Sequence, residues 1–466
     1  MVSSRYSIIL KKFISIVRPL GRQILPTITM AIAVGTLVAF FLWLLQLSIH
    51  TRFHNPWLLY LLPVAGLLIH FSYQLFGKSA EKGNNLIIEQ IKAAGGKVPK
   101  RMGPLVLLTT VITHLFGGSA GREGTAVQIG GSLAFMFNDI FKLEASDRKV
   151  LLTAGIAAGF GAVFGTPITG AIFAIEVLSL GKMKFNALLP SLVASVLADL
   201  TVSAWQVKHT NYRIDDFLLG SDYFSQTLHL DLWLCAKIII ASAAFGFASY
   251  LFILMVDEVK SVSLKVFKWK WMIPVLGGLI IIGLTQLLGK PDYLSLGVDP
   301  EYPNAITIQS AFKPGGADNW SWLLKTVYTA ITLGTGFKGG EVTPLFYIGA
   351  TLGNTISGVL NAPVGLFAAL GFIAVFAGAT NTPLACTIMG AELFDPQYLP
   401  YFALACFSAY FLSGHRGIYH AQIVDFVEPT AMLNANDGGA KSIEPIKTDK
   451  KAAYFHKKAS RYLFFI

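Results

Sequence analysis

Residues 117–131 read GGSAGREGTAVQIGG, and they separate two long apolar stretches. The glycines let the backbone bend and approach a ligand closely. The apolar segment after Glu123 is expected to begin a helix, which turns its free N–H groups and positive dipole end toward this loop. An ionisable residue at membrane depth is functional by default. Because a carboxylate can occupy an anion site and leave it once protonated, this stretch indicates anion transport linked to protons.

The composition is that of a membrane protein. Of 466 residues, 54% are hydrophobic and 14% are charged, whereas a soluble domain has about 25% charged residues. We therefore predict an all-α polytopic membrane protein and exclude a soluble enzyme. The sequence has no nucleophile–base set and no phosphate loop with Gly-Lys-Ser/Thr. Cys235, Cys386 and Cys406 lack metal-ligand spacing, so neither a metal nor a cofactor is expected.

The net charge of +11 is concentrated at the two ends of the chain. Basic residues precede the first apolar run and follow the last, so the positive-inside rule predicts that both termini are cytoplasmic. We expect an integral protein of the cell (inner) membrane whose basic ends face lipid, with no nucleic-acid partner. The predicted organisation is a basic N-terminal segment (1–25), a transmembrane domain (26–425) and a basic C-terminal tail without a regulatory domain (426–466).

The transmembrane domain contains an internal repeat, with halves at about 26–205 and 232–425. In each half a Gly-rich loop with a Glu precedes two apolar segments and a Thr-Pro pair, which is a good helix start because Thr caps and Pro fits the first position. Many apolar segments are too short to cross a bilayer, which is typical of broken helices around a midplane site. We predict two repeated halves, which we expect to be inverted, with broken, tilted helices around one anion site. The matching residues are Glu123, Thr125, Thr166, Pro167 and Glu176 in the first half and Glu341, Thr343, Thr382, Pro383 and Glu392 in the second.

These motifs resemble those of the CLC family of chloride channels and transporters. GREGTAVQIGG (121–131) is similar to the family's GREGP-type loop, and GGEVTPLFYIGATLGN (339–354) is similar to its GxFxP-type loop. Tyr419 matches the Tyr near the end of the family's membrane domain. The resemblance implies a homodimer with one pathway in each subunit. Helices near 186–205 and 399–413 carry small residues and are the expected packing faces.

Three departures from the usual pattern resemble the family's bacterial fluoride/proton antiporter branch. Asn84 stands where the family usually has an anion-contacting Ser. Glu341, Val342 and Thr343 stand where chloride-type members have Ile, Phe and Ala. Val177 stands where chloride/proton exchangers carry a second, internal proton-carrying Glu.

The resemblance implies a specific set of site residues. Glu123 is the expected gate and proton carrier, and Glu341 is a second proton-handling or anion-site group. Fluoride is small and strongly hydrated, so several hydrogen-bond donors must replace its water. The predicted anion-binding residues are Asn84, Asn85, Gly121, Arg122, Gly124, Val342, Thr343 and Tyr419.

Each site residue also has a structural interpretation. Glu123 and Glu341 are alternatively buried acids paired with Arg122 and Lys338. Thr343 is alternatively a helix cap only. The remaining alternatives are an interfacial position for Tyr419 and turn positions for Asn84 and Asn85, and Glu176 and Glu392 are interpreted as structural.

The predicted function is proton-coupled fluoride export, or fluoride/proton antiport, with the anion, protons and the lipid bilayer as partners. A chloride-selective CLC channel or chloride/proton exchanger is the alternative. Asn84, Val177 and Thr343 favour fluoride, and an unrelated solute transporter is disfavoured by the ordered motifs and the repeat.

Overall fold

The computed structural model describes residues 2–92, 97–180, 183, 185–214 and 230–424. The predicted tail (426–466) lies outside these residues, as does the centre of the connection between the halves. The first helix is continuous from Val2 to His54, so the backbone of the predicted N-terminal segment and the first span belong to one element. The predicted domain boundaries stay predictions.

The first half consists of helices joined by short loops, several of them Gly-rich. Lys142, which follows α5, and Gly165, which follows α6, both have the left-handed backbone that ends a helix. The helices are α1 (Val2–His54), α2 (Leu62–Ser72), α3 (Asn84–Lys92), α4 (Met102–Leu115), α5 (Glu123–Phe141), α6 (Ala145–Phe164), α7 (Pro167–Glu176) and α8 (Leu188–Ala204).

The second half repeats this order of elements. A two-residue parallel pair, β1 (Ser179–Leu180) with β2 (Ile423–Val424), joins the two halves. The helices are α9 (Leu232–Val266), α10 (Met272–Leu288), α11 (Ser321–Gly334), α12 (Val342–Leu360), α13 (Val364–Thr380), α14 (Pro383–Leu393) and α15 (Leu399–Leu412).

Helix lengths divide the described residues into membrane-crossing segments and shorter pieces. The helical segments long and apolar enough to cross a membrane are Gln23–His54, Pro56–Lys92, Phe185–Ala204 and Leu232–Val266. Shorter apolar helices include α4, α7 and α14, which matches the prediction of broken helices. The prediction of an all-α polytopic membrane fold is confirmed.

Helices α7 and α14 exchange their terminal carboxylates. Glu176, which ends α7, accepts hydrogen bonds from Leu384 N (3.0 Å) and Ala385 N (2.7 Å) in the first turn of α14. Glu392, near the end of α14, accepts from Ile168 N (2.9 Å) and Thr169 N (2.7 Å) in the first turn of α7. Each helix therefore begins where the other ends, so the two run antiparallel, as expected for inverted halves.

This exchange changes the expected capping. Thr166 and Thr382 do occupy the cap positions before Pro167 and Pro383, but neither side chain makes a capping hydrogen bond. A carboxylate from the opposite half binds the free N–H groups instead, because a charged acceptor at a helix N terminus forms the stronger bond. Glu176 and Glu392 therefore each have a structural contact, because each carboxylate caps the first turn of the other helix.

The small residues of α8 pack inside the subunit. A Cβ at Gly35 on α1 would lie 2.6 Å from Ala198 O, and a Cβ at Gly161 on α6 would lie 2.1 Å from Ser195 Oγ. Ser195 and Ala198 are therefore close contacts of α6 and α1 and are buried inside the subunit, and the homodimer interface stays a prediction. Inside a membrane, small side chains let helix backbones approach closely and pack by van der Waals contact.

Candidate anion site at two converging helix N termini

The two Gly-rich loops meet at the centre of the molecule. Gly121 N donates to Gly340 O at 2.6 Å, and Gly340 N donates to Gly121 O at 2.7 Å. Helix α5 begins two residues after Gly121, and α12 begins two residues after Gly340. This pair of bonds brings two helix N termini, with their unpaired N–H groups, to one place, which is the arrangement that binds an anion.

The Glu123 carboxylate occupies this place. Its Oε2 accepts hydrogen bonds from Arg122 N at 3.0 Å and from Thr343 N at 3.1 Å. Its Oε1 accepts from the Thr343 hydroxyl. The side chain is 1% exposed, so the carboxylate replaces solvent with protein donors. The Arg122 guanidinium is farther away, with Nε 4.0 Å from Oε1, so backbone and hydroxyl donors hold the acid more closely than its cationic neighbour does.

Close backbone approach requires glycine on both sides of this carboxylate. A Cβ at Gly121 would lie 2.6 Å from Glu123 Oε2, and one at Gly340 would lie 2.9 Å from Gly124 N and 3.0 Å from Glu123 Oε2. Neither Gly121 nor Gly340 has room for a side chain. The structure thus explains the predicted contribution of Gly121 and Gly124 as access of the backbone rather than side-chain chemistry.

Asn84 and Asn85 have different surroundings. A Cβ at Gly124 would lie 3.1 Å from Asn84 Nδ2, so the Asn84 amide faces the backbone next to Glu123. Asn84 Oδ1 is buried and has no hydrogen-bond partner among the residues described. Asn85 Oδ1 instead accepts from Ala421 N at 2.9 Å and ties α3 to the segment after Tyr419. Asn84 therefore lies beside Gly124, and Asn85 holds the segment that follows Tyr419.

Tyr419 lies in the interior, which argues against the interfacial alternative. It is 5% exposed and its ring packs edge-on against Phe173 with centroids 6.3 Å apart. Its backbone is held because Ile418 N donates to Ala379 O at 2.9 Å. Tyr419 is thus an interior residue that packs against the aromatic core.

Glu341 stands at the cap position of α12 but makes no capping bond with its side chain. Lys338, the predicted alternative partner, directs its ammonium over the ring of Tyr73 at 4.3 Å. Within the described residues no ion pair joins Lys338 to Glu341. Val342 is buried and begins α12, between Glu341 and Thr343.

A water-sized cavity of about 20 Å³ adjoins Glu123 and Thr343. Arg122 and His209 line both this cavity and a larger one of about 200 Å³, which is called the vestibule below. Glu301 lines that vestibule, and partial burial raises the pKa of its carboxyl, opposed by the charges of His50 and Arg52. The Glu123 carboxylate therefore lies near a wider cavity with charged residues in its wall.

Aromatic residues that the sequence did not assign to the site form the wall of the small cavity. Phe346 and Phe372 stack with centroids 3.8 Å apart, and both line the cavity together with Phe164. Phe346 follows Thr343 by three positions on α12, a spacing that puts both side chains on one helix face. That spacing was the available signal, but a chain with 34 phenylalanines offers too many such pairs.

Residues 65–414 match the model of the family described as voltage gated chloride channel. The chain belongs to this CLC family. A chloride/fluoride channel protein of Pseudomonas syringae pv. tomato is 44% identical over 415 residues, covering 87% of this chain and 89% of that protein. The H(+)/Cl(-) exchange transporter ClcA of Yersinia pestis is 25% identical, covering 72% and 70%.

The CLC fold is also found by structural similarity. The crystal structure of a CLC-type fluoride/proton antiporter superimposes with a TM-score of 0.79 at 32% identity, covering 87% of this chain and 98% of that one. A slow cyanobacterial Cl-/H+ antiporter has the same fold, with a TM-score of 0.68 at 20% identity. The predictions of the CLC family, of a transporter rather than an enzyme and of an integral membrane protein are confirmed.

Proposed function

We propose that this CLC protein is a fluoride/proton antiporter in which Glu123 is the gate. One observation carries the proposal. The Glu123 carboxylate takes up the donors, Thr343 N and the Thr343 hydroxyl, that an anion at the start of α12 needs. Carboxylate and anion therefore compete for one site. Protonation removes the charge of the carboxylate, weakens its bonds to these donors and frees them for the anion.

Fluoride is the favoured anion because the residues around the two helix starts offer several hydrogen-bond donors. The Thr343 hydroxyl, the Asn84 amide and the Tyr419 phenol are additional to the backbone N–H groups, and together they compensate the loss of a tightly held water shell. Chloride-type members of the family carry an apolar residue at the position of Thr343. The relative that is 44% identical, a chloride/fluoride channel protein, and the fluoride/proton antiporter fold support the same choice.

Glu341 is proposed as the second proton-handling group. The position of an internal proton-carrying Glu holds the buried Val177, so protons need another acceptor on the inner side. Glu341 lacks both a capping bond and Lys338 as an ion-pair partner. An inward flow of protons through Glu123 and Glu341 would then drive fluoride outward.

The remaining features of the proposal concern location and assembly. We propose the cell (inner) membrane with both termini cytoplasmic, which agrees with the lysines Lys260, Lys265, Lys268 and Lys270 around the α9–α10 turn. This face is called the inner face below. A homodimer is proposed through the outward apolar side chains of α8 and α15, such as Leu189, Phe407 and Phe411, which are exposed in the single chain.

The test is transport by purified protein in liposomes loaded with fluoride or chloride. Anion efflux is recorded with a selective electrode together with external pH, with and without a potassium ionophore. Fluoride efflux accompanied by proton uptake, even against a pH gradient, is expected. Chloride efflux as fast as fluoride efflux contradicts fluoride selectivity, and anion efflux without proton movement indicates a passive channel.

A further inference from the structure

The small cavity beside the Glu123 carboxylate shares part of its wall with the vestibule. Its volume is about 20 Å³, and both Glu123 and Thr343 line it. The residues that line this cavity and the vestibule together are Arg122, His209, Thr210 and Val298. We propose that the small cavity, called the chamber below, is an outer size filter that admits water or one fluoride ion and excludes chloride. The proposal rests on the proposed antiport function.

The chamber and the vestibule lie on the side opposite the inner face. Helix α10 starts at the α9–α10 turn, on the inner face, and the segment that follows the other end of α10 supplies much of the vestibule wall. Val298, in that segment, also lines the chamber. In this orientation an anion from the outer solution approaches Glu123 and Thr343 from the vestibule, through the chamber.

Three phenylalanines, Phe164, Phe346 and Phe372, give the chamber a rigid wall. The rings of Phe346 and Phe372 stack with centroids 3.8 Å apart and an interplanar angle of 13°. The ring of Phe164 lies 5.3 Å from that of Phe346, and Phe376 packs edge-on against Phe346 at 5.2 Å. Phe346 and Phe372 are both buried. Because a close-packed interior leaves these rings no free space, the chamber cannot widen without a loss of packing.

The volume of the chamber decides which anion it accepts. A cavity of about 10–15 Å³ is enough for one water molecule, so the chamber accommodates one water or one ion of similar size. Fluoride is close to water in size, whereas chloride is larger and has to displace a stacked ring. Chloride from outside therefore meets a steric barrier before it reaches Thr343. An exporter needs this barrier on its outer side, because entering chloride would take up the donors that fluoride uses.

The chamber also offers a hydrogen-bond donor to an ion. Arg122 Nε is buried and has no hydrogen-bond partner among the residues described, and its contact with Glu123 Oε1 is 4.0 Å long. A guanidinium stays charged and donates strongly to anions. A fluoride ion in the chamber can thus exchange part of its water shell for this donor, which a purely aromatic cavity would not provide.

Two variants with opposite effects on the chamber, and a matched control, test the filter. Phe164→Leu widens the chamber at the end of α6, where the side chain is only partly buried and a smaller residue is tolerated. Val298→Leu adds one methylene group at the boundary with the vestibule. Phe137→Leu is the control, because Phe137 is also partly buried, stacks on Phe141 with centroids 6.4 Å apart and lines neither cavity. Fluoride efflux and chloride efflux from liposomes are measured separately, with external pH recorded.

Phe164→Leu is expected to raise chloride efflux by roughly tenfold, because it relieves the overpacking that chloride causes, and to leave fluoride efflux close to wild type. Val298→Leu is expected to slow fluoride efflux by roughly tenfold, because the added group fills the chamber. Phe137→Leu should keep the wild-type ratio of fluoride to chloride efflux. A purely structural defect lowers both fluxes and does not raise that of chloride.

The wild-type protein separates the two possible failures. If it is fluoride-selective and proton-coupled, a Phe164→Leu variant that keeps the wild-type ratio, whether both fluxes fall or neither changes, overturns the filter alone. Wild-type fluoride efflux in Val298→Leu does the same. Chloride efflux as fast as fluoride efflux in the wild type overturns both the filter and the proposed fluoride selectivity.

Discussion

Glu123 accepts hydrogen bonds from both the backbone amide and the hydroxyl of Thr343, although 220 residues separate them in the chain. The acid begins one helix and its donors begin another, and a pair of glycine–glycine hydrogen bonds holds the two helix starts together. A single carboxylate is therefore held by the first turn of a helix from the opposite half of the protein. The proposed gate thus depends on contacts between the two repeats.

Replacing Glu123 tests the gate directly. Glu123→Gln cannot carry a negative charge or release a proton, so fluoride flux is expected to lose its proton coupling. Simultaneous fluoride and pH recordings in liposomes measure this. Asp139→Asn serves as the control for removing an acid, because Asp139 forms an exposed pair with Lys100 at 3.0 Å outside the site. Undiminished proton uptake by Glu123→Gln is incompatible with its role as proton carrier.

Thr343 offers a substitution that changes one hydroxyl and little else. Thr343→Val is expected to weaken fluoride binding by about 2 kcal/mol, or roughly 30-fold, the loss typical of a hydrogen bond to a charged group. Thr343→Ser keeps the hydroxyl and should retain most of the affinity. Titration calorimetry with fluoride gives both values, and equal affinities for the two variants would remove the hydroxyl from the anion site.

Gly340 and Gly358 lie close together in the chain and differ in their surroundings. Gly340→Ala is expected to lower stability by about 1–3 kcal/mol and to impair transport, because the new methyl group overlaps Gly124 N and Glu123 Oε2. Gly358, in α12, has nothing within 4 Å of the place that a methyl group would take, so Gly358→Ala should be neutral or stabilising by about 0.5–1 kcal/mol. Thermal unfolding in detergent compares them; equal shifts would contradict the packing argument.

The exchanged carboxylates of α7 and α14 predict which of two substitutions, Glu176→Ala or Glu392→Ala, lowers the stability more. Glu176→Ala is expected to cost about 1–3 kcal/mol, because it leaves the N–H groups of Leu384 and Ala385 unsatisfied. Glu392→Ala should cost less, since the bond to Ile168 N is exposed and water can replace it. Unfolding temperatures measured under one set of conditions give the order. The reverse order would show that burial does not decide how much each capping carboxylate contributes to stability.

Glu301 predicts a pH effect at the vestibule. Partial burial raises the pKa of its carboxyl, so it becomes neutral at a higher pH than an exposed glutamate does. As the pH on this side falls, the entrance loses a negative charge and attracts anions more strongly. Glu301→Gln should mimic the protonated form and reduce this pH dependence, and the difference should shrink in high salt, which screens exposed charges. A pH dependence of fluoride entry identical to wild type would exclude Glu301 as its source.

Glu176 and Glu392 illustrate where sequence interpretation succeeds and where it stops. Their matched positions predicted a shared structural role, but local capping rules assigned the helix starts to Thr166 and Thr382. In the structure the N–H groups at those helix starts instead donate to carboxylates more than 200 residues away, with separations of 208 and 223 residues for two of the bonds. Local propensity contains no information about an acceptor that arrives from the other half.

The sequence by itself determined the membrane class, the internal repeat, the family and the residues Glu123, Glu341 and Thr343, because composition and short motifs record them directly. The tertiary structure alone decided that Glu123 binds Thr343, that Asn85 accepts a hydrogen bond from Ala421, and that Asp257 contacts His420. Each of these contacts joins segments far apart in the chain. Their pairing follows from helix packing and from the need to satisfy buried polar groups, which only the folded chain specifies.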